Sequence, residues 1–143
     1  MSYATQQDLV DRFGSAELIQ LTDRTNIPPT TIDTVVVDRS LADADALIDG
    51  YVGKVYQLPL SPAPAVLTRY AADIARYFLH GKRAEKDGPI ERAHREALAW
   101  LKDVSRGLVQ LDVGGAPVEQ TGGGAIRATE PNRVFTRDSL RSM

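Results

Sequence analysis

Residues 35–55 read VVVDRSLADADALIDGYVGKV, and the spacing of their apolar side chains indicates the class of fold. Apolar residues recur there at steps of three or four, which is typical of the buried face of an α-helix. The stripe consists of Val37, Leu41, Ala44, Ile48, Tyr51 or Val52, and Val55. Asp38, Asp45 and Asp49 fall on the opposite, polar side. The stretch therefore predicts a long amphipathic helix with one face in a core.

Residues that cap helices predict where the helical segments begin and end. Thr5 suits the start of a first short helix, Gly14 its end, and Ser15 the start of a second short helix. Thr30, with Asp33 three residues later, is a plausible start for the long helix. These residues predict a first segment that is broken in two, followed by the long helix.

Further apolar stripes predict the remaining helices. The two short N-terminal segments carry Leu9, Val10 and Phe13, and then Leu18, Ile19 and Leu21. The helix that follows Pro64 carries Leu67, Tyr70, Ala71, Ile74 and Phe78. The helix that starts near Pro89 carries Ile90, Ala93, Ala97, Leu101 and Val104, with Trp100 beside them. Arg69 and Asp73 stand one turn apart, so we expect an ion pair on the outer face.

The predicted fold class is all-α: a small bundle of about four helices with a long inter-helix loop and an extended C-terminal arm. Two prolines interrupt the loop of residues 22–29 and prevent a continuous helix there. The alternating run of residues 108–113 predicts a short strand. Glycines at 122–124 are typical of a linker. We therefore expect a helical body over residues 1–113, and a flexible linker and assembly arm over residues 114–143.

Length and composition narrow the class of protein. A chain of 143 residues suits one domain, and its 43% of hydrophobic residues suits one modest core. The absence of cysteine excludes disulfides, thiolate metal sites and cysteine nucleophiles. The N-terminal residues lack the pattern of a signal peptide, and no apolar run approaches the roughly 20 residues of a membrane helix. We expect a protein made and kept in the cytosol.

The overall charge argues against a protein whose main function is to bind DNA. The formal net charge is −2 and the pI is about 5.7, whereas such proteins usually show a basic face. Lys82, Arg83 and Lys86 form a small basic cluster, but Glu85 and Asp87 are interleaved with it. A solvated loop is the simpler interpretation of this cluster.

Three motifs resemble functional sites but lack the required residues at the required positions. Counted from Asp43 as the first position of a calcium loop, Leu47 and Ile48 occupy the fifth and sixth positions, which need an oxygen ligand and glycine. His80 and His94 lie on different segments, neither with a second ligand at metal spacing, and His94 sits among charged residues typical of a helix surface. The glycines at 122–124 lack the strand, helix and Lys-Ser/Thr step of a phosphate loop. We therefore predict a non-enzymatic protein with no catalytic residue, cofactor or metal.

The order of several short stretches resembles the Mu-like phage neck family, a domain of unknown function. The matching stretches are residues 3–5 (YAT), 8–9 (DL), 12–14 (RFG), 17–24 (ELIQLTDR), 42–46 (ADADA), 48–51 (IDGY), 56–60 (YQLPL), 72–77 (ADIARY), 99–102 (AWLK) and 133–141 (RVFTRDSLR). The sequence departs from the family pattern in two places. Ile27-Pro28-Pro29 stands where an acidic, glycine-bearing loop is expected, and Val55 stands where a basic residue is expected. Both affect loop contacts and not the fold.

The resemblance implies a structural head–tail connector, also called an adaptor or head-completion protein. Such proteins form an oligomeric ring, often dodecameric, beneath the portal protein, with DNA passing through the lumen without sequence recognition. The other expected partners are tail or stopper proteins, and no contact with a membrane is expected. The expected location is the virion neck, and the host cytoplasm during assembly.

The C-terminal arm carries the candidate assembly interface. It combines apolar and basic side chains in an otherwise polar terminus, a pattern that suits a segment docking on a partner. The candidate residues are Arg133, Val134, Phe135, Arg137 and Leu140. The competing interpretation is a small helical DNA-binding or regulatory module that acts as a dimer. It would need a helix-turn-helix with a basic second helix, and residues 15–22 contain Glu17 and no basic residue.

Overall fold

A computed structural model describes residues 2–113 of the chain and confirms the all-α class. Within these residues, five α-helices are joined by turns and loops, and no strand is present. They are α1 (Gln6–Phe13), α2 (Ser15–Thr22), α3 (Thr34–Val52), α4 (Ala65–His80) and α5 (Pro89–Ser105), with a 3-10 turn at Gly81–Arg83. Because α1 and α2 are the two halves of the predicted broken segment, the number of main segments agrees with the prediction.

The core lies where α3, α4 and α5 contact one another, and α1 and α2 cover it by contacting α3 and α4. The predicted stripe of α3 is buried from Val37 to Val52, and Tyr51 is only partly buried. Val55, predicted as the last residue of the stripe, lies beyond the end of α3 and is partly buried. Residues predicted to be buried together are all in this core: Leu41, Ile48, Leu67, Ile74, Ala97 and Leu101. Burial of this apolar surface is the main force that stabilises the bundle.

The predicted caps of the N-terminal helices are mostly confirmed. The Thr5 hydroxyl accepts a hydrogen bond from the Asp8 amide, and the Thr5 amide donates to the Asp8 carboxylate at 2.7 Å, which forms a capping box. Gly14 ends α1 with a φ of 89°, in the region that favours glycine. Ser15 was wrongly predicted as a cap, because it is the first residue of α2 and Gly14 precedes it as N-cap.

The predicted start of α3 was three residues too early. Asp33 is the N-cap, and its carboxylate accepts hydrogen bonds from the amides of Val35 and Val36. The amides of Thr30 and Thr31 instead donate to the carboxylate of Asp23. The segment before Asp33 is therefore held as loop.

The strand predicted over residues 108–113 is wrong. Leu111 is buried and its amide donates to the Tyr56 hydroxyl at 2.9 Å, while Leu108 is 72% exposed. The alternation does correspond to burial, because Val109, Leu111 and Val113 pack against the core from a segment without regular secondary structure. A strand needs a second strand as hydrogen-bonding partner, and residues 2–113 supply none.

No helix within residues 2–113 combines the length and the apolar character that crossing a membrane requires. The predicted linker and arm, residues 114–143, fall outside the described residues.

Candidate functional site

The segment before α1 is fastened to α3 by Tyr3. The Tyr3 amide donates to Oδ1 of Asp45 at 3.0 Å, and the Tyr3 hydroxyl donates to Oδ1 of Asp49 at 2.5 Å. The side chain is only 4% exposed. Burial and the neighbouring carboxylate of Asp49 raise the pKa of Tyr3, so the hydroxyl keeps its proton. Two aspartates of the predicted polar side of α3 thus bind the N-terminal segment.

This attachment leaves a groove of about 380 Å³ between the N-terminal segment and α3, which we call the N-terminal groove. It is lined by Ser2, Ala4, Thr5, Gln6, Asp38, Leu41, Ala42 and Asp45. Ala4 and Leu41 are buried members of the core, so they give the groove an apolar floor. Asp38 and Asp45 stand two helical turns apart along its α3 side.

The two carboxylates of the N-terminal groove have unused acceptor capacity. Asp38 is exposed, and its carboxylate makes no hydrogen bond or ion pair with any other residue in the described range. Asp45 uses Oδ1 for the Tyr3 amide, and its Oδ2 accepts nothing from residues 2–113. An ionised carboxylate has about four lone-pair sites, so both can accept from an external cation.

A second groove, which we call the loop-side groove, lies on the opposite flank of α3. Its volume is about 200 Å³, and it is lined by Arg24, Val36, Arg39, Ser40, Asp43, Phe78 and Leu79. Phe78 was predicted as part of the buried stripe of α4, but it is 36% exposed because it faces this groove near the end of the helix. Two apolar residues close in sequence to lining residues, Ile27 in the loop after Arg24 and Val35 before Val36, are 98% and 64% exposed.

Asp23 organises the long loop that borders the loop-side groove. Oδ2 of Asp23 accepts from the amides of Thr30 and Thr31, and Oδ1 accepts from the amides of Thr25 and Asn26. The residue is 8% exposed. These hydrogen bonds, first that of the Thr30 amide, hold the pKa of Asp23 well below its usual range. One ionised side chain thus shapes a loop that carries two prolines.

A charged cluster joins α2 to α4. Nε and Nη2 of Arg76 donate to the two carboxylate oxygens of Glu17 at 2.7 and 2.8 Å, and Nε2 of His80 lies 3.0 Å from Oε1. The Arg76 guanidinium also lies 4.3 Å from the centre of the Phe13 ring. Burial alone raises the pKa of Glu17, but the hydrogen bonds from Arg76 and His80 outweigh it and lower the pKa. The cluster is a structural link between helices.

The histidines occupy different surroundings from those predicted. His94 was expected on an ordinary charged surface, but its ring stacks on Tyr77 with centroids 4.0 Å apart. Burial lowers the pKa of His94 despite the nearby carboxylate of Glu91, so the ring is neutral near pH 7. Within residues 2–113, no three His, Asp or Glu side chains are grouped closely enough to hold a metal ion.

Comparison with known proteins places this body in a family. The sequence model of a family described as "Bacteriophage Mu, Gp36" matches residues 3–129. The chain belongs to the Mu Gp36 family. It is 34% identical over 107 residues to gene product J of Escherichia phage Mu, a match that covers 75% of this chain and 74% of the relative.

A prophage relative supports the same assignment. The Mu-like prophage FluMu protein gp36 of Haemophilus influenzae is 34% identical over 110 residues, which cover 76% of this chain and 74% of the relative. The Mu-like resemblance inferred from short sequence stretches is therefore confirmed. The chain is a protein of the Mu-like phages and prophages.

The Gp36 family match includes the Asp23 loop and every lining residue of the two grooves except Ser2, but it ends before the predicted assembly residues. Those residues lie outside the described range: Arg133, Val134, Phe135, Arg137 and Leu140. Sequence reasoning missed the roles of Tyr3 and Asp23, although both fall in stretches that carry the family resemblance. A signal was present for Asp23, because aspartate before a Thr-Asn-rich, proline-bearing loop is typical of side chain–backbone hydrogen bonding.

Proposed function

We propose that this Gp36-family chain is a non-enzymatic structural subunit of the phage virion, located at the neck between head and tail. In this proposal copies of the chain form a ring beneath the portal protein, and DNA passes through its lumen. The ring meets tail or stopper proteins on its other side. Assembly takes place in the host cytoplasm before the subunit is built into the virion.

The observation that carries the proposal is the pair of unlike surfaces on opposite flanks of α3. One flank presents Asp38 and Asp45 in the N-terminal groove, and the other presents Arg24 and Arg39 in the loop-side groove. A two-fold dimer uses one self-complementary patch, whereas a closed ring needs two different patches on each subunit. Unlike flanks with opposite charge suit a head-to-tail arrangement.

Exposed apolar side chains in the loop before α3 and in its first turn support an interface on that side of the body. Ile27 is 98% exposed and Val35, next to the groove residue Val36, is 64% exposed. Exposed apolar groups next to polar ones are typical of protein–protein contacts. A Val35→Glu change therefore removes interface surface without touching the core.

Passage of DNA fits the charge of the chain. Lys and Arg total 17 against 19 for Asp and Glu, and basic surfaces are what hold DNA phosphates tightly. A lumen lined by acidic or neutral groups lets DNA slide.

The alternative of a DNA-binding or regulatory dimer receives less support from the same residues. In a helix-turn-helix formed by α1 and α2, α2 would be the reading helix. It has no Lys or Arg, it buries Leu18 and Leu21 in the body, and Glu17 is paired with Arg76. No face of α2 is left that suits contact with phosphates.

Mass photometry of the full chain, alone and mixed with its portal protein, tests the proposal. We expect closed assemblies of several 15.6 kDa copies, at least when the portal is present. Val35→Glu should reduce these assemblies, and Leu108→Glu, an equally exposed apolar position after α5, should leave them intact. A chain that stays monomeric with and without portal, at concentrations well above those of assembly, contradicts the ring.

A further inference from the structure

We infer that the N-terminal groove of each copy binds residues 133–137 (RVFTR) of a neighbouring copy. The inference rests on the proposed ring, since it requires a second copy, and it deepens that proposal by naming the segment and the surface that meet. The groove combines an apolar floor with two carboxylates on its α3 side. Residues 133–137 combine one aromatic side chain with an arginine on either side of it.

The distance between the two aspartates of the groove is similar to the distance between the two arginines of the segment. Asp38 and Asp45 are seven residues apart on α3, which corresponds to about 10 Å along the helix axis. Arg133 and Arg137 would be about 13 Å apart in an extended segment. Because arginine side chains are long and end in a planar group that can form two parallel hydrogen bonds with a carboxylate, they easily cover this difference.

The apolar residues then meet in the middle. Leu41 and Ala42 lie halfway between the two aspartates of the groove, and Phe135 lies halfway between the two arginines. In an extended segment residues 133, 135 and 137 point to the same side, so the ring and both guanidinium groups face α3 together. An aromatic anchor in a pocket with charged groups at its rim is the usual pattern of an energetic hot spot.

The occupant must reach the groove and protrude into it. Residues 114–132 connect the body to this segment and can span up to about 60 Å when extended, roughly twice the length of the 19-residue helix α3. A neighbouring copy is therefore within reach. The loop-side groove of a neighbour also offers two arginines and Phe78, but it is itself concave and does not fill another groove.

Chemical crosslinking between introduced cysteines tests the contact directly, because the chain has no cysteine of its own. Full-length chains carrying Ala42→Cys are mixed with full-length chains carrying Thr136→Cys and are treated with a short bismaleimide, because Thr136 points away from α3 in the extended segment and the two thiols would not face each other as a disulfide requires. Ala42 is exposed at the groove, and Thr136 is next to Phe135, so neither change removes a proposed anchor. We expect a crosslink between the two different chains. Lys102→Cys, an exposed position on α5, should give none with Thr136→Cys.

Two further changes check that the crosslink reports the proposed anchors. Phe135→Ser in the Thr136→Cys chain and Asp38→Lys in the Ala42→Cys chain should each slow crosslinking by about tenfold or more. Glu85→Lys is the matched control, because Glu85 is an exposed carboxylate between α4 and α5 that lines neither groove. Circular dichroism of each variant confirms that the body is folded.

The outcomes separate the two proposals. Rings that form without the crosslink overturn this inference and leave the proposed function standing. A crosslink that appears only within one chain carrying both cysteines shows that the segment binds its own body, which also overturns the inference. A crosslink that is insensitive to both Phe135→Ser and Asp38→Lys shows a contact by other residues and overturns it as well. Absence of any assembly contradicts the proposed function itself.

Discussion

Ile74 shows how strongly a single residue position controls this fold. It is fully buried in α4, the helix that contacts both α3 and α5. We expect Ile74→Asp to unfold the body, because an unpaired carboxylate in a core costs several kcal/mol out of a total stability of about 5–15 kcal/mol. Circular dichroism and thermal melting would measure the loss.

Two control substitutions distinguish the effect of a buried carboxylate at position 74 from that of any change to Ile74 and from that of any aspartate added to α4. Ile74→Val should cost only about 0.5–1.5 kcal/mol, since it removes one methylene group. Ala65→Asp, at an exposed position in the first turn of the same helix, should be tolerated. An Ile74→Asp chain with an unchanged melting curve would show that the buried face of α4 is assigned incorrectly.

At the scale of elements, the loop between α2 and α3 depends on one ionised carboxylate. Asp23 accepts hydrogen bonds from four backbone amides through both of its oxygens. Because asparagine keeps only one accepting oxygen, Asp23→Asn should lose about half of these bonds. We therefore expect Asp23→Asn to be less stable than the natural chain at pH 7.

The lowered pKa of Asp23 gives this difference a definite dependence on pH. The stabilisation from ionised Asp23 is fully present above the ordinary aspartate pKa of about 3.9, and it is lost as the pH falls through the lower pKa of the folded chain. The gap between the urea midpoints of the natural chain and Asp23→Asn should therefore narrow below about pH 4. Asp43→Asn, at an exposed position on α3, provides the control. A gap of constant size from pH 7 to pH 3 would contradict this role.

At the scale of the whole molecule, residues 2–113 by themselves form a contiguous apolar core. It takes side chains from all five helices and from Leu111, whose amide donates to the Tyr56 hydroxyl. We predict that truncation after Gly115 leaves the melting temperature unchanged, while ring formation or portal binding drops. Differential scanning calorimetry and mass photometry measure the two properties.

The full-length variant Phe135→Ser should reproduce the assembly defect of this truncation, because it removes the apolar anchor and keeps the length of the chain. A truncated protein that assembles normally would contradict the proposed role of the arm, and Phe135→Ser would then have no effect on assembly. A truncated protein that melts at a much lower temperature would show that residues beyond 115 belong to the folded body.

Much of the helical bundle follows from local rules that the sequence states directly. The stripe of α3 and the buried faces of α4 and α5 were predictable because a helix repeats every 3.6 residues, whatever it packs against. The Thr5 cap and the Gly14 stop were also predictable, since capping bonds link residues three or four positions apart. The family resemblance could also be recognised from the sequence, because it rests on short stretches in a fixed order.

The grooves and the links between helices depend on packing, which no local pattern encodes. Tyr3 meets Asp45 and Asp49 across more than 40 residues, and Arg76 meets Glu17 across 59. Periodicity alone placed those aspartates on the polar side of the helix, because it cannot distinguish solvent from a second segment that lies on the helix. The side chains that line both flanks of α3 come together only when α1, α2 and α4 are in place, since their proximity is set by tertiary contacts and not by spacing in the chain.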